Sequence, residues 1–198
     1  MKDLADIAVF MDRDGTVSKE IGYVNHGDRF ELLPRTSAAV KLLNNVGIKA
    51  ILATNQAGVA RGYFPEERIN EVHDKLKQLL AEDEAYLDAI YYCKHHPDVG
   101  EGEYNKDCNC RKPKPGMLKE AAKDFDLDLE ESYMIGDKIS DIEMAKRVGA
   151  TGILVLTGYG QGVYEYEQQD WPVEPDYIAD DLFDAVDWIL KEQGIWKR

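Results

Sequence analysis

The sequence predicts an α/β fold on a doubly wound parallel sheet, and three observations predict it. Short apolar runs alternate with longer stretches whose apolar residues recur at helical spacing. The alternation continues along nearly the whole chain, as crossover connections between parallel strands require. A chain of 198 residues with 44% hydrophobic content supplies one core and leaves little room for a second, so residues 1–198 are read as a single domain.

Taken in order, Ile7 to Met11 reads as a short buried strand that runs into the acidic turn Asp12-Arg13-Asp14-Gly15-Thr16. Ala39, Val40, Leu42 and Leu43 mark a helix over Thr36 to Val46, which Gly47 is placed to end before a strand at Ile48 to Ala53. Pro65 suits a first helical turn, and Ile69, Val72, Leu76, Leu79 and Leu80 continue one face toward a strand at Ala89 to Tyr92. Residues 94–115 carry Gly, Pro, Asn, Asp and Lys without periodicity, an unusually long loop unless a metal organises it. Alternation then resumes with a helix at Pro115 to Phe125, a strand at Tyr133 to Ile135, a helix at Ser140 to Val148 and a strand at Gly152 to Leu156. A surface excursion over 160–176, an edge strand at Tyr177 to Ala179 and an amphipathic helix from Leu182 to Gln193 complete the chain.

Charge excludes some partners. With 38 acidic against 24 basic residues and a net charge of -14, the surface repels nucleic acid and acidic membranes, so a phosphorylated substrate needs a locally cationic site. No apolar stretch approaches the roughly 20 residues that span a bilayer, and Met1-Lys2-Asp3 does not open a basic, then apolar, leader. The expectation is a cytoplasmic protein, monomeric, with a small-molecule substrate.

Asp12 and Asp14 stand two apart at a strand end, where one carboxylate can attack phosphorus while the other moves a proton to the leaving oxygen. Taken alone, the stretch also fits the start of a calcium loop or an ordinary turn. Three further segments follow in order near strand ends: Thr54-Asn55-Gln56, Arg111-Lys112-Pro113, and Gly136-Asp137-Lys138 with Asp141. Lys112 and Lys138, each taken alone, also read as solvated surface charge. All three cysteines lie in Cys93-x-His95 and Cys108-x-Cys110, an odd number unsuited to disulfides but sufficient, with the imidazole, for a closed tetrahedral zinc site. Spacing alone leaves open that these are unliganded thiols.

In order and spacing the four segments resemble the haloacid dehalogenase superfamily of phosphatases, over nearly the whole chain. The resemblance implies a Rossmann-like sheet with a minimal cap, Asp12 as nucleophile, Asp14 as general acid/base, and Thr54 and Lys112 on phosphoryl oxygens. It implies Mg²⁺ on Asp12, on the Asp14 backbone carbonyl and on Asp137. The segment Tyr91 to Leu118 resembles the zinc-loop branch that holds heptose bisphosphate and histidinol phosphate phosphatases, which implies structural Zn²⁺ on Cys93, His95, Cys108 and Cys110, with His96 as a neighbour.

Gly22-Tyr23-Val24, Thr54 to Gly62 and Lys114 to Leu118 look most like the heptose bisphosphate group, which implies hydrolysis of the 7-phosphate. By the same resemblance Glu20, Ile21, Gly22 and Tyr23, with Thr54, Asn55, Gln56 and Ala57, line a sugar bisphosphate. Arg111 then meets the distal phosphate, and Lys138 holds the nucleophile or the phosphate. Ala57 departs from the serine frequent in that group. The competing readings are a histidinol phosphate phosphatase and a non-catalytic metal-binding module of the same fold; intact Asp12, Asp14, Lys112 and Asp137 argue against the latter.

Overall fold

β1 (Ala8–Met11) is apolar and buried at every position, as a strand covered on both faces must be. In the computed structural model, which describes residues 4–196, it stands at the middle of a six-stranded sheet. The other strands are β2 (Lys49–Asn55), β3 (Ala89–Cys93), β4 (Tyr133–Gly136), β5 (Thr151–Val155) and β6 (Tyr177–Ala179). Their order is β3-β2-β1-β4-β5-β6, and every neighbouring pair is parallel.

Side chains of β1 divide by the two-residue period of a strand. Val9 and Met11 join the core formed with α1 (Thr36–Val46), α2 (Glu67–Glu82) and α6 (Leu182–Glu192), through residues such as Leu43, Leu76 and Ile189. Ala8 and Phe10 face the opposite core, with α3 (Gly116–Phe125) and α4 (Ile139–Lys146), through Met117, Leu118 and Met144. Complete burial of Phe10 stabilises the fold by about 1.5–3 kcal/mol relative to exposure. Gly47 ends α1 at φ 81°, its N–H bonding the Asn44 and Leu43 carbonyls.

The expected elements are present, several with shifted ends. β2 runs on to Asn55 and so carries Thr54 and Asn55 at its tip, beyond the expected end at Ala53. The stretch 160–176 is not only a surface excursion: it contains α5 (Gly160–Tyr166), and its Val163 packs with Ile142 and Leu154 while Trp171 and Val173 pack against them. One buried anchor per short helix leaves no apolar period to read. The chain leaves β1 toward β2 on one side and β4 toward β5 on the other, so the crevice beyond the adjacent ends of β1 and β4 is the switch point where such sheets bind ligands.

Candidate active site

Asp12 is the first residue past β1, and it is 5% exposed. Its Oδ1 accepts from the Arg13 N–H at 2.8 Å and lies 2.8 Å from Lys112 Nζ. Burial alone would raise this carboxyl, but Lys112 foremost, with Lys138 and the Thr54 hydroxyl, hold it below its ordinary value. Lys112 Nζ also meets Asp141 Oδ1 at 2.6 Å and donates to the Ala53 carbonyl at 3.2 Å. Burial would lower the ammonium, yet Asp12 and Asp141 raise it. The result is an ionised carboxylate held against a fixed cation.

Asp137, just past β4, is fully buried. Its Oδ2 accepts the Tyr159 N–H at 2.9 Å, whereas Oδ1 has no hydrogen-bond partner and stands 3.9 Å from Lys138 Nζ. Burial foremost, with the Asp12 charge nearby, pushes Asp137 up to about 7 against the pull of Lys138, and burial pushes Asp141 to about 6 against Lys112. Oxygens of Asp12, Asp137 and Asp141 lie within 4.8 Å of one another. An orphaned buried carboxylate oxygen in an all-oxygen cluster is suited to a hard divalent cation such as Mg²⁺. Asp141, named in the sequence with its motif but given no role, already spends Oδ1 on Lys112.

The backbone closes over Asp137. Gly15 has φ +87° and Gly158 φ +57°; a Cβ on either would lie 2.0 or 2.3 Å from Asp137 Oδ2. Thr157 Oγ1 donates to the Gly15 carbonyl at 2.6 Å, which ties the loop after β5 to the loop after β1.

Asp14 turns its carboxylate to protein donors: Oδ1 accepts from Arg13 Nε at 3.0 Å, and Oδ2 from Arg13 Nη2 at 2.8 Å and Gln56 Nε2 at 3.0 Å. A cleft of about 450 Å³ opens over Asp12 and Asp14. Of the residues expected to meet substrate, Glu20, Gly22, Tyr23, Thr54, Asn55, Gln56, Ala57, Arg111, Lys112 and Lys138 line it. Ile21 does not; the chain bends at Gly22, φ +82°, and Ile21 stands 37% exposed outside the lining. Asn55 lines the cleft but spends its amide on Lys112, accepting from its N–H at 3.1 Å and donating to its carbonyl at 3.3 Å.

Two lining residues escaped the sequence reading, Ser140 and Tyr159. Tyr159 lies under the Lys138 ammonium, 4.5 Å from ring centroid to Nζ, and Glu20 Oε2 stands 3.5 Å from the same ammonium. Tyr159 follows β5 without any motif, so only tertiary structure brings it here.

The loop after β3 gathers Cys93, His95, Cys108 and Cys110, with ligand atoms all within 4.8 Å of one another. Sulfur–sulfur distances are 3.4 Å for Cys93–Cys108 and 2.9 Å for Cys108–Cys110, and His95 Nδ1 is 3.4 Å from Cys110 Sγ. Ligands at Zn–S bonds of about 2.3 Å in a tetrahedron stand about 3.8 Å apart, so small outward shifts admit the ion, and the donor set suits zinc. His96 points elsewhere, its Nδ1 accepting from the Asp98 N–H at 3.1 Å and its Nε2 facing Arg61. Arg111 donates to the His95 carbonyl at 3.2 Å, which joins the sulfur cluster to the cleft.

Comparison with known proteins gives a consistent result. Residues 109–185 match the HAD-hydrolase-like family model. The D-glycero-D-manno-heptose-1,7-bisphosphate 7-phosphatase of Thermosynechococcus vestitus is 44% identical over 189 residues, covering 92% of this chain and 94% of that protein. The D-glycero-beta-D-manno-heptose-1,7-bisphosphate 7-phosphatase of Escherichia coli is 37% identical, covering 92% and 87%. A crystal structure of D,D-heptose 1,7-bisphosphate phosphatase from B. bronchiseptica, complexed with magnesium and phosphate, superposes with a TM-score of 0.83 at 34% identity, covering 94% of this chain and 99% of that one.

Proposed function

Because the chain belongs to the family of D-glycero-D-manno-heptose-1,7-bisphosphate 7-phosphatases, hydrolases of the haloacid dehalogenase type, we propose that it removes the 7-phosphate of that sugar and leaves the 1-phosphate in place. The observation that carries this reading is Asp12, an ionised buried carboxylate paired with Lys112 at the floor of a cleft of metabolite size, beside the orphaned oxygen of Asp137.

An Asp12 carboxylate oxygen attacks phosphorus, and the bond from phosphorus to the sugar oxygen breaks. Asp14 gives that oxygen a proton, so the sugar leaves as an alcohol and the phosphoryl group stays on Asp12. Water then attacks phosphorus, Asp14 takes its proton, and inorganic phosphate leaves. Lys112 and Thr54 hold the phosphoryl oxygens, and Lys138, which lines the same cleft, holds the nucleophile or the phosphate. Asp12, the Asp14 carbonyl and Asp137 would hold Mg²⁺, which when bound would offset the repulsion between an anionic nucleophile and a phosphate dianion. Arg111 meets the distal phosphate, and Glu20, Gly22 and Tyr23 with Gln56 and Ala57 border the sugar.

Cys93, His95, Cys108 and Cys110 would hold a structural Zn²⁺, which would fix the backbone that presents Arg111 and Lys112. One domain does all of this, a reading supported by the single sheet that carries the site residues at its strand ends, in the loops that follow or in the first turn of α4. A reducing, cytoplasmic compartment is supported by the need for three thiolates.

Phosphate release from heptose 1,7-bisphosphate and from histidinol phosphate, measured side by side with Mg²⁺, tests the reading. The heptose is expected to be strongly preferred, and Asp12→Asn is expected to abolish turnover on both. Preference for histidinol phosphate would keep the chemistry and overturn the substrate.

A further inference from the structure

Arg13 stands between Asp12 and Asp14 in sequence and is only 1% exposed. A buried guanidinium is costly unless its charge and donors are met. Nε and Nη2 grip the two oxygens of Asp14 at 3.0 and 2.8 Å, and Nη2 also donates to Gln56 Oε1 at 2.8 Å. Gln56 Nε2 returns to Asp14 Oδ2 and reaches Thr54 Oγ1 at 3.1 Å. A fork bound to both oxygens of a carboxylate fixes its plane as well as its place.

Behind the fork stands His73 of α2, 4% exposed, with its Nε2 3.4 Å from Arg13 Nη1 and its ring edge-on to Tyr92, centroids 5.5 Å apart. Burial, then the Arg13 and Lys77 charges, lower its pKa to about 3, so the ring is neutral. A guanidinium only donates, hence Nε2 is the acceptor and the proton sits on Nδ1.

We propose that His73 is a positioning residue for the phosphatase reaction: by accepting from Arg13 Nη1 it sets the guanidinium fork that fixes the place and plane of the Asp14 carboxyl at the cleft. The proposal rests on the acid/base role of Asp14 given above. A sugar alkoxide needs that proton in order to leave, whereas a nitrophenolate leaves without it. Misalignment therefore slows the first substrate and spares the second, while a merely structural defect slows both alike.

The test compares kcat/KM, which covers the steps through phosphorylation of Asp12, for heptose 1,7-bisphosphate and p-nitrophenyl phosphate. In His73→Leu the value for the heptose is expected to fall about 10- to 100-fold, and that for the aryl ester less than about threefold. His73→Gln, whose amide oxygen can accept, is expected to recover most of the loss. Should His73→Leu fail to fold, Arg13→Lys keeps the charge, loses the fork and must show the same split between substrates. Equal losses on both substrates, or none on the heptose, would overturn the inference. Asp14→Asn runs beside them: if it slows the heptose far more than the aryl ester while the His73→Leu losses are even, only this inference falls; if it slows both esters alike, the acid/base role of Asp14 falls first.

Discussion

At the scale of single residues the deepest polar groups are the most specific. His73 shows this in stability as well as in geometry, because its pKa lies near 3 in the folded chain against 6.5 for the ordinary group. Between those values the unfolded chain binds a proton that the folded chain refuses, so stability declines as pH falls below about 6.5. At pH 5 the loss from this one group is about 2 kcal/mol. His73→Gln does not titrate there, so its melting temperature should drop less between pH 7 and pH 5 than that of the parent; equal drops would refute the assignment. The sequence displayed Asp12, Asp14, Lys112 and Asp137 because their chemistry demands fixed residue types after strands. His73, Ser140 and Tyr159 were invisible because nothing in their local spacing sets them apart from an ordinary helix or loop residue. Ile21, placed in the cleft by its neighbours in sequence, lies outside the lining.

At the scale of elements the segment between β3 and α3 matters most. Its regular structure is a short 3-10 turn at Gly102–Tyr104 and a bridge between His96 and Asn105, so the sulfur cluster and a few side-chain ties add to a sparse backbone framework. Glu66 at the start of α2 supplies one tie, with Lys94 Nζ at 2.7 Å and the Tyr92 and Tyr104 hydroxyls at 3.3 and 3.4 Å. Removing zinc with a strong chelator is expected to lower the melting temperature by several degrees and to cut turnover, since Arg111 and Lys112 follow Cys110 directly. A chelated chain of unchanged stability and activity would show that the cluster holds no structural metal. The Cys93, His95, Cys108 and Cys110 cluster was legible from residue type and the helices from period, as Thr36–Val46 illustrates by matching its expected bounds. The helix at Gly160–Tyr166 was not, because seven residues with one apolar anchor carry no period.

At the scale of the whole molecule, a parallel sheet brings residues far apart in sequence to one edge, and that convergence decides what the site accepts. Loops after β1, β4 and β5 meet where the two glycine backbones press on Asp137, whose Oδ2 is already spent on the Tyr159 N–H. A carboxylate so confined has one oxygen to offer and no room to swing. Calcium prefers six to eight oxygens at about 2.3–2.6 Å and often takes both oxygens of one carboxylate, whereas magnesium is content with six at about 2.0–2.1 Å. Turnover with Ca²⁺ in place of Mg²⁺ is therefore expected to be at least about tenfold lower, with equal rates for the two ions as the contrary result. Two absent side chains would thus act as a size filter, with the ion chosen by the space withheld from a neighbour.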